Sequence, residues 1–129
     1  MGNKSKGSRA ERKLIEKFWQ ERWACMRAAG SGSTQFPSPD VLVGNGSRQL
    51  AIEVKKSRDE RVYIDEKQVR SLDYFGEKFG AEPWVGVKFF RKQWYFIPLE
   101  DLQDTGKHFK VTLDQVEMTG LSFEDVISF

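Results

Sequence analysis

The chain has 129 residues, of which 31% are charged, yet its formal net charge is only +2. This length suits one domain that buries roughly two thirds of its unfolded surface, and the small net charge makes the overall field a weak indicator of an anionic partner. The single cysteine, Cys25, excludes an intrachain disulfide and a cysteine-cluster zinc site, and the single histidine, His108, argues against a Ser-His-Asp triad.

The first predicted elements are a basic arm and a helix. Residues 1–7 are predicted to form a flexible arm, and a helix is predicted from Ser8 to about Trp23, because Ser8 and Glu11 have capping-box spacing. Apolar residues then follow at helical intervals: Leu14, Ile15, Phe18 and Trp19. No apolar segment approaches the roughly 20 residues that span a bilayer, and the basic start lacks the apolar core of a signal peptide, so an intracellular protein without a membrane partner is expected.

A loop and a hairpin are predicted next. Residues 28–38 are rich in Gly, Ser and Pro and are predicted to form a loop. Residues 40–43 and 48–55 are predicted strands, and the tight turn Gly-Asn-Gly-Ser at 44–47 joins them.

A second helix and further strands complete the chain. Asp65 and Gln68 have the chemistry of N-cap and N3 residues, and Gly80 is a natural helix stop. The later predictions are strands at 84–90 and 93–97, a short helical turn at 98–102, one more strand within 106–129, and a last turn opened by Ser122. The order indicates a single α/β domain over residues 8–129, with a mixed sheet and a helix on each side.

Two carboxylates and a lysine are expected to meet at the end of the predicted hairpin. Asp40 begins the first strand, and Glu53 and Lys55 share one face at the end of the second. The small Ala51 leaves room for Asp40 about 5 Å away. Carboxylates this close repel unless a cation lies between them, and hard oxygen ligands favour Mg²⁺, with Mn²⁺ as a substitute. The pattern is that of a metal-dependent phosphodiesterase, in which Lys55 either activates water or stabilises developing charge.

The sequence is compatible with two alternative explanations of these residues. Glu53 and Lys55 also fit an ordinary exposed ion pair. Glu11 fits either a catalytic role or a simple capping role.

Basic residues gather near the N-terminus and around the hairpin, as in proteins that bind phosphate. They are Lys4, Lys6, Arg9, Arg12, Lys13, Arg48, Lys55, Lys56, Arg58 and Arg61.

Five segments together resemble the archaeal Holliday junction resolvases, which belong to the restriction-endonuclease-like nuclease superfamily. They are GSRAER (7–12), RAAGSGS (27–33), PD (39–40), IEVK (52–55) and VY (62–63). The resemblance runs from about Lys6 to Leu102. It implies a restriction-endonuclease-like α/β fold, with a central mixed five-stranded sheet flanked by helices.

The resemblance also implies roles for individual residues. The implied catalytic residues are Glu11, Asp40, Glu53, Lys55 and the loop residue Ser31. The implied Mg²⁺ ligands are Asp40, Glu53, Glu11 and the Val54 backbone carbonyl. The resemblance implies DNA contacts at Arg12, Arg27 and Ser31. The local basic patches and the Gly-Ser loop add the expected DNA contacts Arg9, Gly30, Ser33, Lys56 and Arg58. Phe75 and Phe79 lie on the helix that resembles the family's dimer interface, whereas no family role is assigned to Trp19 or Trp23.

The function expected from the resemblance is resolution of four-way DNA junctions by paired, metal-dependent phosphodiester hydrolysis in recombination and repair. Two matched cuts need two sites, and a domain of this size supplies one, so a homodimer is expected. The alternatives are a restriction or repair nuclease that acts on duplex or flap DNA, and a non-catalytic DNA-binding module. The expected location is the cytoplasm of an archaeal cell, in association with the nucleoid.

Overall fold

Helices cover both faces of a mixed β-sheet in the computed structural model, which describes residues 2–28 and 36–128 and the side chains from residue 9 onward. The elements are α1 (Gly2–Gln20), β1 (Ala24–Arg27), β2 (Val41–Gly44), β3 (Gln49–Ser57), β4 (Arg61–Ile64), α2 (Glu66–Phe79), β5 (Glu82–Phe89), β6 (Trp94–Pro98), a 3-10 turn (Leu99–Asp101), β7 (Gln103–Asp104), β8 (Phe109–Thr112), α3 (Leu113–Thr119), β9 (Leu121–Ser122) and α4 (Phe123–Ile127).

The main sheet has the strand order β1-β2-β3-β5-β6-β9 within the described residues. The β3 and β5 strands are parallel, and the other neighbours are antiparallel, so the sheet is mixed as predicted. The predicted count of five strands is wrong, because the two-residue β9 adds a sixth at the β6 edge. A segment this short has no alternating pattern to read. A second sheet, β4-β8-β7, was also not predicted.

The side-chain alternation along β3 separates two apolar clusters. Ile52 is fully buried with Leu14 and Phe18 of α1, whereas Ala51 is fully buried with Leu72 of α2. Because β3 is covered on both faces, its apolar stretch is nearly continuous, as expected for a central strand with a parallel neighbour. The charged residues that follow this stretch therefore come at the edge of the core.

The boundaries of the two main helices differ in how well they were predicted. The α1 helix begins at Gly2, so the predicted start at Ser8 is wrong. Once a helix has formed, each added residue gains a hydrogen bond at little cost in conformational entropy. Capping-box spacing alone therefore does not determine where the helix begins. The division into an arm (1–7) and a domain (8–129) otherwise stays a prediction. The α2 helix follows Asp65 and ends at Gly80, whose φ of 84° suits glycine, as predicted.

Arg48 lies at the opposite end of β3 from the predicted site. Its guanidinium donates to both carboxylate oxygens of Glu82 at 2.8 and 2.9 Å and to the Val126 carbonyl at 2.9 Å. Arg48 therefore ties the hairpin to β5 and α4, and its place in the predicted phosphate-binding set is wrong. Among the described helices, none is long and apolar enough to cross a membrane.

Candidate active site

Asp40 lies one residue before β2, where the hairpin brings it beside β3. Its backbone amide donates to the Ile52 carbonyl at 3.0 Å, and its carboxylate accepts a hydrogen bond of 2.8 Å from the Val54 amide. A carboxylate that accepts a backbone amide is held in position, since the amide is itself fixed by the strand. Asp40 is thereby held against the strand that carries Glu53, as the sequence predicted.

Glu53 is the most strongly perturbed acid of the site. Burial and the neighbouring Asp40 carboxylate raise the pKa of Glu53 from its ordinary 4.5 to about 8, although Lys55 acts in the opposite direction. The pKa of Glu11 is also raised, first by burial and then by Asp40. Three acids therefore share one electrostatic environment, and an exposed surface ion pair between Glu53 and Lys55 does not account for it.

Gln68 connects α2 to this group and was predicted only as a helix-capping residue. Its side-chain oxygen accepts from Lys55 Nζ at 3.2 Å and from the Asp65 amide at 3.1 Å. Its side-chain nitrogen donates to Glu53 Oε2 at 3.4 Å. Gln68 thus caps the helix and holds both Lys55 and Glu53, a role for which the sequence spacing offered no signal.

Glu11 pairs with Arg27 across α1 and β1. The distance between Arg27 Nε and Glu11 Oε1 is 3.4 Å, and the Glu11 side chain is only 17% exposed. Ser8 lies inside α1, so it is not the N-cap residue of this helix, and the capping explanation for Glu11 is wrong. Glu11 instead faces the same electrostatic environment as Asp40 and Glu53.

The donor atoms of this site fit a hard divalent cation. Asp40 and Glu53 would supply carboxylate oxygens and Val54 a backbone carbonyl, which are the hard oxygen donors that such a cation binds. The elevated pKa of Glu53 fits as well, because a cation between the two carboxylates would remove the repulsion from Asp40 that contributes to it. Within 2–28 and 36–128, no group of three or more His, Cys, Asp and Glu side chains is already arranged as a metal cluster. The assignment of Glu11 as a third ligand stays a prediction.

A cluster of three lysines lies on the sheet face opposite Glu53 and Lys55 and was not predicted as a unit. Lys56 and Lys88 are register partners on β3 and β5. The pKa of Lys88 is lowered by partial burial and by the charges of Lys56 and Lys13, which shows that the three ammonium groups are close. We call Lys13, Lys56 and Lys88 the lysine cluster. The sequence feature that could have indicated this cluster is Lys88, a charged residue within the otherwise apolar stretch of β5.

The other predicted contacts lie in different parts of the surface. Arg9, Arg12, Lys56 and Arg58 are exposed, and Arg27 is half-exposed beside Glu11. The predicted loop contacts Gly30, Ser31 and Ser33 lie outside the described residues. The rings of Phe75 and Phe79 stack on α2, with centroids 5.2 Å apart and an interplanar angle of 15°.

The chain is similar to known proteins over almost its whole length. The model of the archaeal Holliday junction resolvase family matches residues 2–129. The crossover junction endodeoxyribonuclease Hjc of Archaeoglobus fulgidus is 42% identical over 123 residues, which are 95% of this chain and 90% of the relative. The protein of the same name from Sulfurisphaera tokodaii is 31% identical over 98% of this chain and 89% of its own length. A relative named Hje from Saccharolobus solfataricus is 30% identical over 79% of this chain and 78% of its own length.

A solved structure has the same fold. The 1.6 Å structure of Archaeoglobus fulgidus Hjc, titled a Holliday junction resolvase from an archaeal hyperthermophile, matches with a TM-score of 0.87 at 38% sequence identity. The match covers 93% of this chain and 98% of the other.

The pKa of Glu53 predicts how the stability of the metal-free protein depends on pH. The folded protein keeps the Glu53 proton up to about pH 8, whereas the unfolded chain releases it near pH 4.5. The free energy of unfolding therefore falls as the pH rises from 4.5 to 8. We expect Glu53→Gln to be more stable than the parent at pH 8, by about 1–3 kcal/mol, and the difference to vanish near pH 4.5. Denaturant unfolding in EDTA at both pH values measures this.

Glu77→Gln is the matched control, since it removes an exposed carboxylate from α2. It should leave stability at pH 8 almost unchanged. A Glu53→Gln protein that is equally or less stable than the parent at pH 8 would contradict the repulsion between Glu53 and Asp40.

Proposed function

This chain belongs to the archaeal Holliday junction resolvase family, and from this premise we infer that it is an endonuclease that cuts four-way DNA junctions. The observation that carries the proposal is the Asp40–Glu53 pair at the end of the hairpin, with Lys55 beside it. Cleavage of a phosphodiester needs charge stabilisation and a positioned water, and this arrangement supplies the groups for both. Its place of action is then the DNA of the cytoplasm.

Asp40, Glu53 and the Val54 carbonyl are proposed to hold Mg²⁺, for which Mn²⁺ would substitute. When bound, the cation would neutralise charge on the phosphate and lower the pKa of a coordinated water. Glu11 is proposed to act beside these ligands, with Arg27 neutralising its charge and holding its carboxylate in place. Support comes from the hard oxygen donors and from the burial of Glu53.

Lys55 is proposed to contact the reacting phosphate or its attacking water. Its ammonium reaches Gln68 at 3.2 Å, and the same amide donates to Glu53, so the two reactive groups are held by one side chain. Fixing the distance between an ammonium and a carboxylate favours a productive geometry before the substrate arrives. Gln68 is thus a positioning residue, acting through Lys55 and Glu53.

The lysine cluster and the arginines of α1 are proposed as the surface for the DNA backbone. Among the described residues, no acidic side chain forms an ion pair with Lys13, Lys56 or Lys88. Crowded ammonium groups repel each other, so a phosphate relieves this repulsion when it binds. Arg9 and Arg12 extend the positive surface along α1, and affinity should fall steeply with salt.

A homodimer is proposed to supply the second cut. Trp19, Met26 and Phe79 are 56, 61 and 52% exposed and line an apolar groove of about 380 Å³. We call these three residues the apolar patch. The α2 helix packs on β3 and β5, which leaves the groove along β1 and β2 open. A second copy that covers the patch by two-fold symmetry would place two equivalent sites on one junction.

Asp40→Asn should abolish cleavage of a four-way junction and preserve binding. The amide keeps the shape of the side chain but loses the charge, so we expect at least a ~100-fold loss of rate. The measurement is cleavage of labelled junction with and without Mg²⁺, with binding followed in Ca²⁺. Asp73→Asn, the same change on the exposed face of α2, should cleave normally.

The same assay separates the two rival functions. Linear duplex of identical sequence should be cut at least ~100-fold more slowly than the junction, and equal rates would favour a duplex or flap nuclease. Undiminished cleavage by Asp40→Asn would favour a non-catalytic role for the carboxylates.

Phe79→Arg should convert the dimer into a monomer. Burial of a guanidinium in a symmetric apolar interface places two like charges close together without partners, which is strongly unfavourable. Analytical ultracentrifugation should show half the parent mass, and the paired cuts in a junction should become single nicks. Met118→Arg, at an 82% exposed site on α3, controls for the added charge and should remain dimeric. A dimeric Phe79→Arg protein would contradict the role of the patch.

A further inference from the structure

The turn between β5 and β6 carries an exposed aromatic ring with arginines over it. Phe90 is 51% exposed, although the preceding Phe89 is buried. The guanidinium carbons of Arg58 and Arg91 lie 5.1 and 5.2 Å from the centroid of the Phe90 ring. The turn therefore offers an apolar flat surface and two positive charges at one point, a combination that suits a nucleotide.

The position of this ring is fixed by the backbone. The Phe90 amide donates to the Ser57 carbonyl at 3.0 Å, which joins the turn to the end of β3. The Lys92 amide closes the turn on the Phe89 carbonyl at 3.0 Å. Arg91 adopts a φ of 62°, a conformation that favours glycine over a residue with a side chain. A guanidinium is therefore present here despite its backbone cost.

The turn and the carboxylates lie on one line along β3. Glu53 is paired with Val85, and Ser57 with Phe89, so the acid lies four residue steps before the position where the turn begins. At about 3.3 Å per residue this separation is about 13 Å, or about four base steps along a DNA strand. Lys56 and Lys88 occupy strand positions between the two ends. Lys56 and Lys88 project from the sheet face opposite Glu53, so a DNA strand held at Glu53 would pass around the edge of β3 beyond Ile52, the last residue paired with β2, and follow the lysine cluster to Phe90.

We propose that Phe90 stacks on a base at the branch point of the junction while Arg58 and Arg91 bind the adjoining phosphates. This inference rests on the proposed function and names how the site distinguishes its substrate. At a branch point the continuous stack of one arm is interrupted, so a base face is accessible. In an intact duplex the same contact requires neighbouring bases to be unstacked first.

The arginines do not block this contact. Stacking of a base on an aromatic ring is stronger than an exposed cation–π contact, so a base can displace a guanidinium from the ring. The displaced guanidinium then gains charge-assisted hydrogen bonds to phosphate. The same three side chains therefore serve the free and the bound protein.

The test uses the full chain carrying Asp40→Asn, so that bound DNA stays uncut. Phe90→Ala and Phe90→Trp are added separately, and affinities for a four-way junction and for duplex are measured with Mg²⁺. Phe90→Ala should weaken junction binding about tenfold and duplex binding by less than about twofold, and Phe90→Trp should retain the parent affinities. 2-Aminopurine at the branch point should change its fluorescence on binding of the parent but not of Phe90→Ala.

Two further variants act as controls. Tyr74→Ala removes an aromatic ring that is 55% exposed and has Lys78 5.7 Å from its centroid, and it should leave both affinities unchanged. Arg91→Gly relieves the positive φ, so the turn is kept and only the guanidinium is lost. It should weaken both affinities and reduce the salt slope by about one.

The failures of the two proposals are distinguishable. Equal junction affinities of Phe90→Ala and its parent, or an equal loss for junction and duplex, would overturn the branch-point contact while leaving the proposed function intact. A parent that binds junction no more tightly than duplex would overturn the proposed function, and this inference with it.

Discussion

The hydrogen bond between the Asp40 carboxylate and the Val54 amide sets the geometry of the whole site. It joins Asp40, one residue before β2, to Val54, which lies between Glu53 and Lys55 on β3, and so fixes Asp40 beside Glu53. Burial then makes the proximity of the two acids unfavourable, and the raised pKa of Glu53 records this cost. A divalent cation bound between the two carboxylates, as proposed, would remove this repulsion.

The α1 and α2 helices each place one side chain beside this pair of acids. From α1, Glu11 enters the same electrostatic environment while Arg27 of β1 holds it. From α2, Gln68 fixes Lys55 and Glu53 together. Two apolar clusters pack these helices on the sheet and therefore also position the side chains of the site. A loss of packing in either cluster would displace these side chains. Functional sites of this kind commonly make the folded protein less stable than it could be.

The sequence predicted those parts of the fold and of the site in which the interacting residues lie close together along the chain. The hairpin, the caps of α2 and the meeting of Asp40 with Glu53 are local in this sense, because turn chemistry and strand alternation act over a few residues. The family and its restriction-endonuclease-like fold, which the segment resemblance predicted, are confirmed by the comparisons.

Contacts between segments that are distant along the chain could not be predicted from the sequence. Gln68 and Glu53 are brought together only by the packing of α2 on β3, and the lysine cluster draws on three separate elements. The sixth strand and the second sheet arise from segments of two to four residues, which are too short to show a period. The predicted start of α1 was wrong because a helix can extend beyond a sequence that has capping-box spacing.

The central claim is that Asp40 and Glu53 hold a divalent cation together. Anomalous diffraction from crystals soaked in Mn²⁺ tests it most directly, because manganese is located without reference to the protein atoms. We expect a peak within coordination distance of both carboxylates that is absent from crystals of Asp40→Asn. A parent crystal with no peak between these two side chains would contradict it.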